Sequence, residues 1–130
     1  MRPVYMVSGG ITKFRKASPD KDFRYMVKEA FDYAMDDVPS LTRDQIDGAV
    51  CSYFSDHFTR QLKAGAMVHD YIGLCPKPSI RVEGGGATGG LCIQTAWAQE
   101  YVVHPSTQTP ERLVTLDILD QWTDELSNLG

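Results

Sequence analysis

Cysteine is scarce in this chain. Cys51, Cys75 and Cys92 are the only three in 130 residues. An odd count with no CxxC pair excludes a self-contained disulfide framework and fits reduced thiols in a cytoplasmic protein. Long apolar runs are lacking too. No stretch reaches the roughly 18 residues a membrane-spanning helix needs, so no span is expected. The N-terminus lacks the basic-then-apolar layout of a secretory leader. Positive charge is in deficit, with 13 Lys and Arg against 17 Asp and Glu and a formal net charge of −4. That balance gives no reason to expect nucleic acid or an anionic membrane as a partner. Internal repeats and low-complexity segments are absent. His57, His69 and His104, with Asp56 and Asp70, match no standard zinc spacing, so they read as surface or packing residues and no metal is expected.

What the chain does have is an ordinary globular composition, 42% hydrophobic and 23% charged, and a length that suits one domain or part of one. Its most distinctive stretch is Pro78-Ser79-Ile80-Arg81-Val82-Glu83-Gly84-Gly85-Gly86-Ala87-Thr88-Gly89-Gly90-Leu91-Cys92-Ile93. β-Branched Ile80 and Val82 favour a short strand. The glycines permit a tight turn. From Ala87 the pattern becomes helical, running to about Val103 and apolar nearly all round, so this helix is expected to be buried. A turn of this kind aims free backbone N–H groups at whatever lies above it, and the helix dipole favours negative charge there. Chemistry at a carbonyl or a phosphate is therefore the first candidate.

The rest of the chain supplies the frame. Pro3–Ile11 reads as a first strand ending in a Ser-Gly-Gly turn. Phe23, Met26, Val27, Ala30, Phe31, Ala34, Met35 and Val38 recur at helical spacing. Asp20 or Asp22 is placed to cap that helix and Pro39 to end it. Ile46–Phe54 reads as a second strand, apolar enough to lie inside a sheet covered on both faces, with Cys51 in its core. Arg60–Ile72 reads as a second helix, rich in small residues that allow close packing. Thr109 and Pro110 can open a last helix, amphipathic, with Leu113, Leu116, Leu119, Trp122 and Leu126 on one face. The fold class expected is α/β, a β-α-β-α-β-α segment over residues 1–103 with a mostly parallel sheet, followed by a linker and C-terminal helix over residues 104–130.

At this level the chain resembles the N-terminal part of the thiolase superfamily, in the branch of sterol-carrier-protein thiolases and archaeal acetyl-CoA acetyltransferases. The resemblance rests on three features in order: the helix around Ala30 and Ala34 followed by Ile46-Asp47-Gly48; His69-Asp70-Tyr71-Ile72-Gly73-Leu74 before Pro76-Lys77-Pro78; and Arg81-Val82-Glu83-Gly84-Gly85-Gly86-Ala87-Thr88-Gly89-Gly90, which looks like the family's nucleophile turn. It covers roughly residues 3–103.

The resemblance implies acyl-CoA chemistry. In the family a cysteine at the start of the buried helix attacks the thioester, its thiolate favoured by the helix N-terminus. Coenzyme A carries the acyl group. A histidine and a second cysteine from the C-terminal half complete the site. By this correspondence Gly85, Gly86, Ala87, Thr88 and Gly89 border the substrate, and Arg60 and Lys63 are candidates to meet a CoA phosphate, with a solvated face as the plainer reading. Two departures stand out. The nucleophile position falls on Gly86, which has no side chain to react. Cys92 is no substitute, because six residues along a helix is about 9 Å of rise and about 240° of rotation. The C-terminal half is missing as well, and His104-Pro105 lacks the glycine that precedes the family's catalytic His-Pro. The expected protein is a thiolase-like, acyl-CoA-associated chain without its own nucleophile, in a homo-oligomer or paired with a thiolase-like chain. An acyltransferase completed by a partner chain is one alternative. A dinucleotide-binding module is the other, since Gly84–Gly89 also fits GxGxxG.

Overall fold

The computed structural model describes residues 4–102 and 113–117. In chain order these form α1 (Phe23–Asp37), β1 (Gly48–Ser52), α2 (Asp56–Thr59), α3 (Ala64–Tyr71), β2 (Ser79–Val82), α4 (Thr88–Val102) and β3 (Leu113–Asp117). The three strands make one parallel sheet in the order β2-β1-β3. The α/β class with a parallel sheet is thus as expected.

β1 is central and buried along its whole length. Its alternate side chains serve two layers, as the two-residue period of a strand requires. Ala49, Cys51 and Tyr53 join a core with Phe23, Val27 and Phe31 of α1 and Ala64 and Val68 of α3. Val50 and Ser52 point to the other side, where Cys92 of α4 meets the Val50 carbonyl. A strand covered on both faces needs no polar alternation, which is why this one reads as a continuous apolar run.

Local signals set most helix ends. Asp22 caps α1, its carboxylate accepting from the Tyr25 N–H at 2.9 Å. The helix expected over Arg60–Ile72 begins late, at Ala64. Arg60 and Lys63 both take left-handed backbone angles (φ 48° and 58°), and α3 starts at Ala64. That start seats Gly65 on β1, where an added Cβ would lie 3.2 Å from the Cys51 sulfur.

Three expectations are corrected. Residues 4–11 form no strand. Both edges of β1 are already taken, by β2 and β3. The segment lies on α1 instead, with Ser8 Oγ donating to the Ala34 carbonyl at 2.7 Å. Tyr5 and Met6 are left 77% and 79% exposed. Leu113–Asp117, expected in the last helix, is a parallel strand on β1. Its β-branched Val114 and Thr115 suit that state. The remainder of that proposed helix, residues 118–130, and the His104–Thr109 break lie outside the described residues. Finally, α4 is buried on one face only: Ile93 is 51% and Trp97 41% exposed.

Candidate functional site

The carboxyl ends of parallel strands are where an open α/β sheet presents its loops to ligands. Here β2 ends at Val82 and enters the glycine turn, beside the end of β1 at Ser52. Gly84 has φ −150° and ψ 39°, and Gly85 has φ +58°, a left-handed angle that suits glycine. Residues Gly85–Ala87 form a single 3-10 turn that leads directly into α4.

Thr88 ties this corner. Its buried hydroxyl donates to the Gly85 carbonyl at 2.6 Å and accepts from the Gly84 N–H at 3.0 Å. The first turn of α4 opens over the turn with the dipole's positive end. The Phe54 ring stands beside Gly85, 4.0 Å from where a Cβ would be. Above Gly86 the space is open, and a Cβ built there meets nothing within 4 Å. A side chain at position 86 would therefore project freely from the corner.

The expected substrate-bordering residues, Gly85 to Gly89, are gathered in this one corner. Arg60 and Lys63 are exposed and stand at the two ends of the α2–α3 loop. Cys92 is 1% exposed, its thiol donating to the Val50 carbonyl at 3.3 Å, so it faces the sheet. Cys51 is buried in the opposite layer, and Cys75 is exposed. His69 is buried, with Nε2 2.8 Å from the Lys77 carbonyl. Among the described residues no group of three or more His, Cys, Asp or Glu is placed to hold a metal ion, and no helix is long and apolar enough to cross a membrane.

A cluster that the linear pattern hid flanks the corner. Arg81, on β2, lies 4.0 Å over the Tyr53 ring. It pairs with Glu83 at 2.7 Å and Asp56 at 3.6 Å. Tyr53 is buried, its hydroxyl set beside the Asp56 carboxylate and the Gly65 N–H without a bond of normal geometry to either. Burial first, and then Asp56, push the Tyr53 phenol above its ordinary range. Ser52 is fully buried, and among the described residues its hydroxyl has no hydrogen-bond partner. The signal for this group was the register of β1 and β2, which pairs Cys51 with Arg81 and Ser52 with Val82. It becomes visible only once the register is known.

The dinucleotide reading meets a topological obstacle. In that motif the strand after the glycine helix neighbours the strand before it. Here β3 lies on the far side of β1 from β2.

No protein-family model matches the chain. It is 33% identical over 95 residues to an acetyl-CoA acetyltransferase of Methanothermobacter thermautotrophicus, a match covering 73% of this chain and 24% of that protein. The chain thus spans about a quarter of the length of the curated relative it matches. That match supports a distant, thiolase-like relationship and nothing finer.

Proposed function

We propose that this chain is a thiolase-like, acyl-CoA-associated protein that does not itself carry the reacting sulfur. One observation carries the reading: a strand–turn–helix corner tied by Thr88, with open space above Gly86 and the nearest thiol along the helix, Cys92, turned into the sheet. Such a corner offers backbone donors and a helix N-terminus to a thioester oxygen but has no nucleophile to form an acyl-enzyme. The distant relative's name, acetyl-CoA acetyltransferase, supports coenzyme A thioesters as the ligand class. In this reading the chain is a non-catalytic subunit, with Gly85, Gly86, Ala87, Thr88 and Gly89 bordering the thioester and Arg60 and Lys63 available to its phosphates. The test is calorimetric titration with acetyl-CoA alongside a thiolysis assay on acetoacetyl-CoA. Binding without turnover is expected. Turnover by the purified chain contradicts the non-catalytic role, and absence of binding contradicts the ligand class.

A further inference from the structure

Arg81 stands on β2, the outer strand of the described sheet next to β1. An arginine in such a place ordinarily sends its charge into water. This one turns back. Its guanidinium lies 4.0 Å over the ring of buried Tyr53. Its two terminal nitrogens are divided between two carboxylates. One reaches Glu83 Oε2 at 2.7 Å, and the other faces Asp56 Oδ2 at 3.6 Å. A guanidinium is a rigid planar fork, so it sets the spacing of the groups it holds. The ring beneath gives it a fixed floor.

The two carboxylates belong to different parts of the chain. Asp56 opens α2, and the loop after α2 carries Arg60 and Lys63. Glu83 directly precedes Gly84, whose N–H donates to the Thr88 hydroxyl at 3.0 Å. One line of contacts therefore runs from α2 through Arg81 to the glycine turn. Asp56 holds its place against a cost. Its Oδ1 is buried and among the described residues has no hydrogen-bond partner, which is unfavourable for a carboxylate oxygen. A swing of the side chain into water would relieve it, and the pairing of Oδ2 with Arg81 opposes that swing. Each ion pair is weak alone at this exposure. Shared through one guanidinium on one ring, the two become coupled. We propose that Arg81 is a positioning residue that fastens the start of α2 to the glycine turn, holding both parts of the candidate acyl-CoA site in one geometry. The link to acyl-CoA rests on the function proposed above; the fastening does not.

The experiment is site-resolved amide hydrogen exchange on the full chain without ligand. The Gly84 and Ala87 amides, bonded to Thr88 Oγ1 and the Gly84 carbonyl, report the turn. The His57 amide, bonded to Ser55 Oγ, reports α2. Arg81→Met is expected to speed exchange at all three by roughly two- to fivefold, with the amides of α1 at wild-type rates. Arg81→Lys is expected to recover little of this, since a point charge does not serve both carboxylates. Asp56→Asn is expected to speed exchange at Gly84 and Ala87, and to add nothing there in an Arg81→Met background. Glu83→Gln, which leaves Arg81 over the ring, repeats the test from the other end and is expected to speed exchange at His57. Unchanged rates at Gly84 and Ala87 in Arg81→Met, an Asp56→Asn effect that persists without Arg81, or no response of His57 to Glu83→Gln overturns the positioning role. Calorimetric titration with acetyl-CoA separates this from the ligand assignment. Binding roughly two- to fivefold weaker in Arg81→Met is expected, and equal binding contradicts a role in the site. A wild type that binds no acetyl-CoA contradicts the ligand class alone, and the exchange rates still decide the fastening.

Discussion

The thiol of Cys92 lies 3.3 Å from the carbonyl oxygen of Val50, on the covered side of the sheet. This contact decides what α4 can contribute to chemistry. A sulfur committed to a strand carbonyl and 1% exposed is a packing group. The corner at the helix start is left with backbone alone.

That arrangement fixes how the three cysteines respond to alkylation. Native protein treated with iodoacetamide and read by mass spectrometry is expected to carry the label at exposed Cys75, with buried Cys51 and Cys92 reacting only after denaturation. Labelling of Cys92 in the native state at the rate of Cys75 contradicts its placement.

The cap of α1 gives a stability prediction. Asp22→Ala removes the bond to the Tyr25 N–H and is expected to cost about 1 kcal/mol in urea unfolding. Slight burial opposes ionisation of Asp22, but the Tyr25 N–H and the Arg24 guanidinium outweigh it and hold the carboxyl below its ordinary 3.8. For Glu29 the bond from Lys21 comes first, and the result is again a lowered value. A lowered folded-state value means that the stabilisation is present above the ordinary carboxylate range and is lost as pH falls through the folded value. Wild type is therefore expected to lose its advantage over Asp22→Ala below about pH 4.

The Tyr53 phenol provides the alkaline counterpart. Its folded value lies above the ordinary 10.0. The stabilisation it brings is intact below that value and is lost as pH rises through the raised one. In an absorbance titration Tyr53 is expected to ionise above the ordinary tyrosine range. Asp56→Asn removes one of the two main causes and is expected to bring Tyr53 down towards the ordinary range, with burial keeping it above. An unchanged titration in that variant would separate Asp56 from Tyr53.

Two glycines are expected to behave in opposite ways. A Cβ at Gly10 would fall 1.9 Å from the Ala30 carbonyl oxygen, inside the backbone of α1. Gly10→Ala is expected to lift the N-terminal segment from α1 and cost about 1–3 kcal/mol, seen as faster exchange and a lower unfolding midpoint. Gly86→Ala enters open space and is expected to stay within about 0.5 kcal/mol of wild type.

Much of this fold was legible in the sequence because the signals were local. The period of Phe23 to Met35, the cap at Asp22 and the β-branched pair before the glycines each act within a few residues. What escaped depended on competition between distant segments. Pro3–Ile11 has the character of a strand, and Leu113–Asp117 has both helical spacing and β-branched residues. Only pairing with β1 decides between them, and there Leu113–Asp117 holds the place. The half-exposed α4 was hidden because apolarity all round a helix does not distinguish burial in its own chain from a surface open to another. The glycine corner was readable as a motif. The Arg81–Tyr53–Asp56–Glu83 group beside it required the register of two strands.

We propose that position 86 corresponds to the place of the reacting sulfur in thiolases, whose nucleophile turn this glycine turn resembles. The most direct test is the alkylation rate of Gly86→Cys in a Cys75→Ser background at neutral pH, with and without acetyl-CoA. The account predicts a thiol at that helix start that reacts faster than Cys75 does in the wild type and is protected by acetyl-CoA. A rate no greater than that of Cys75, with no protection, would contradict it.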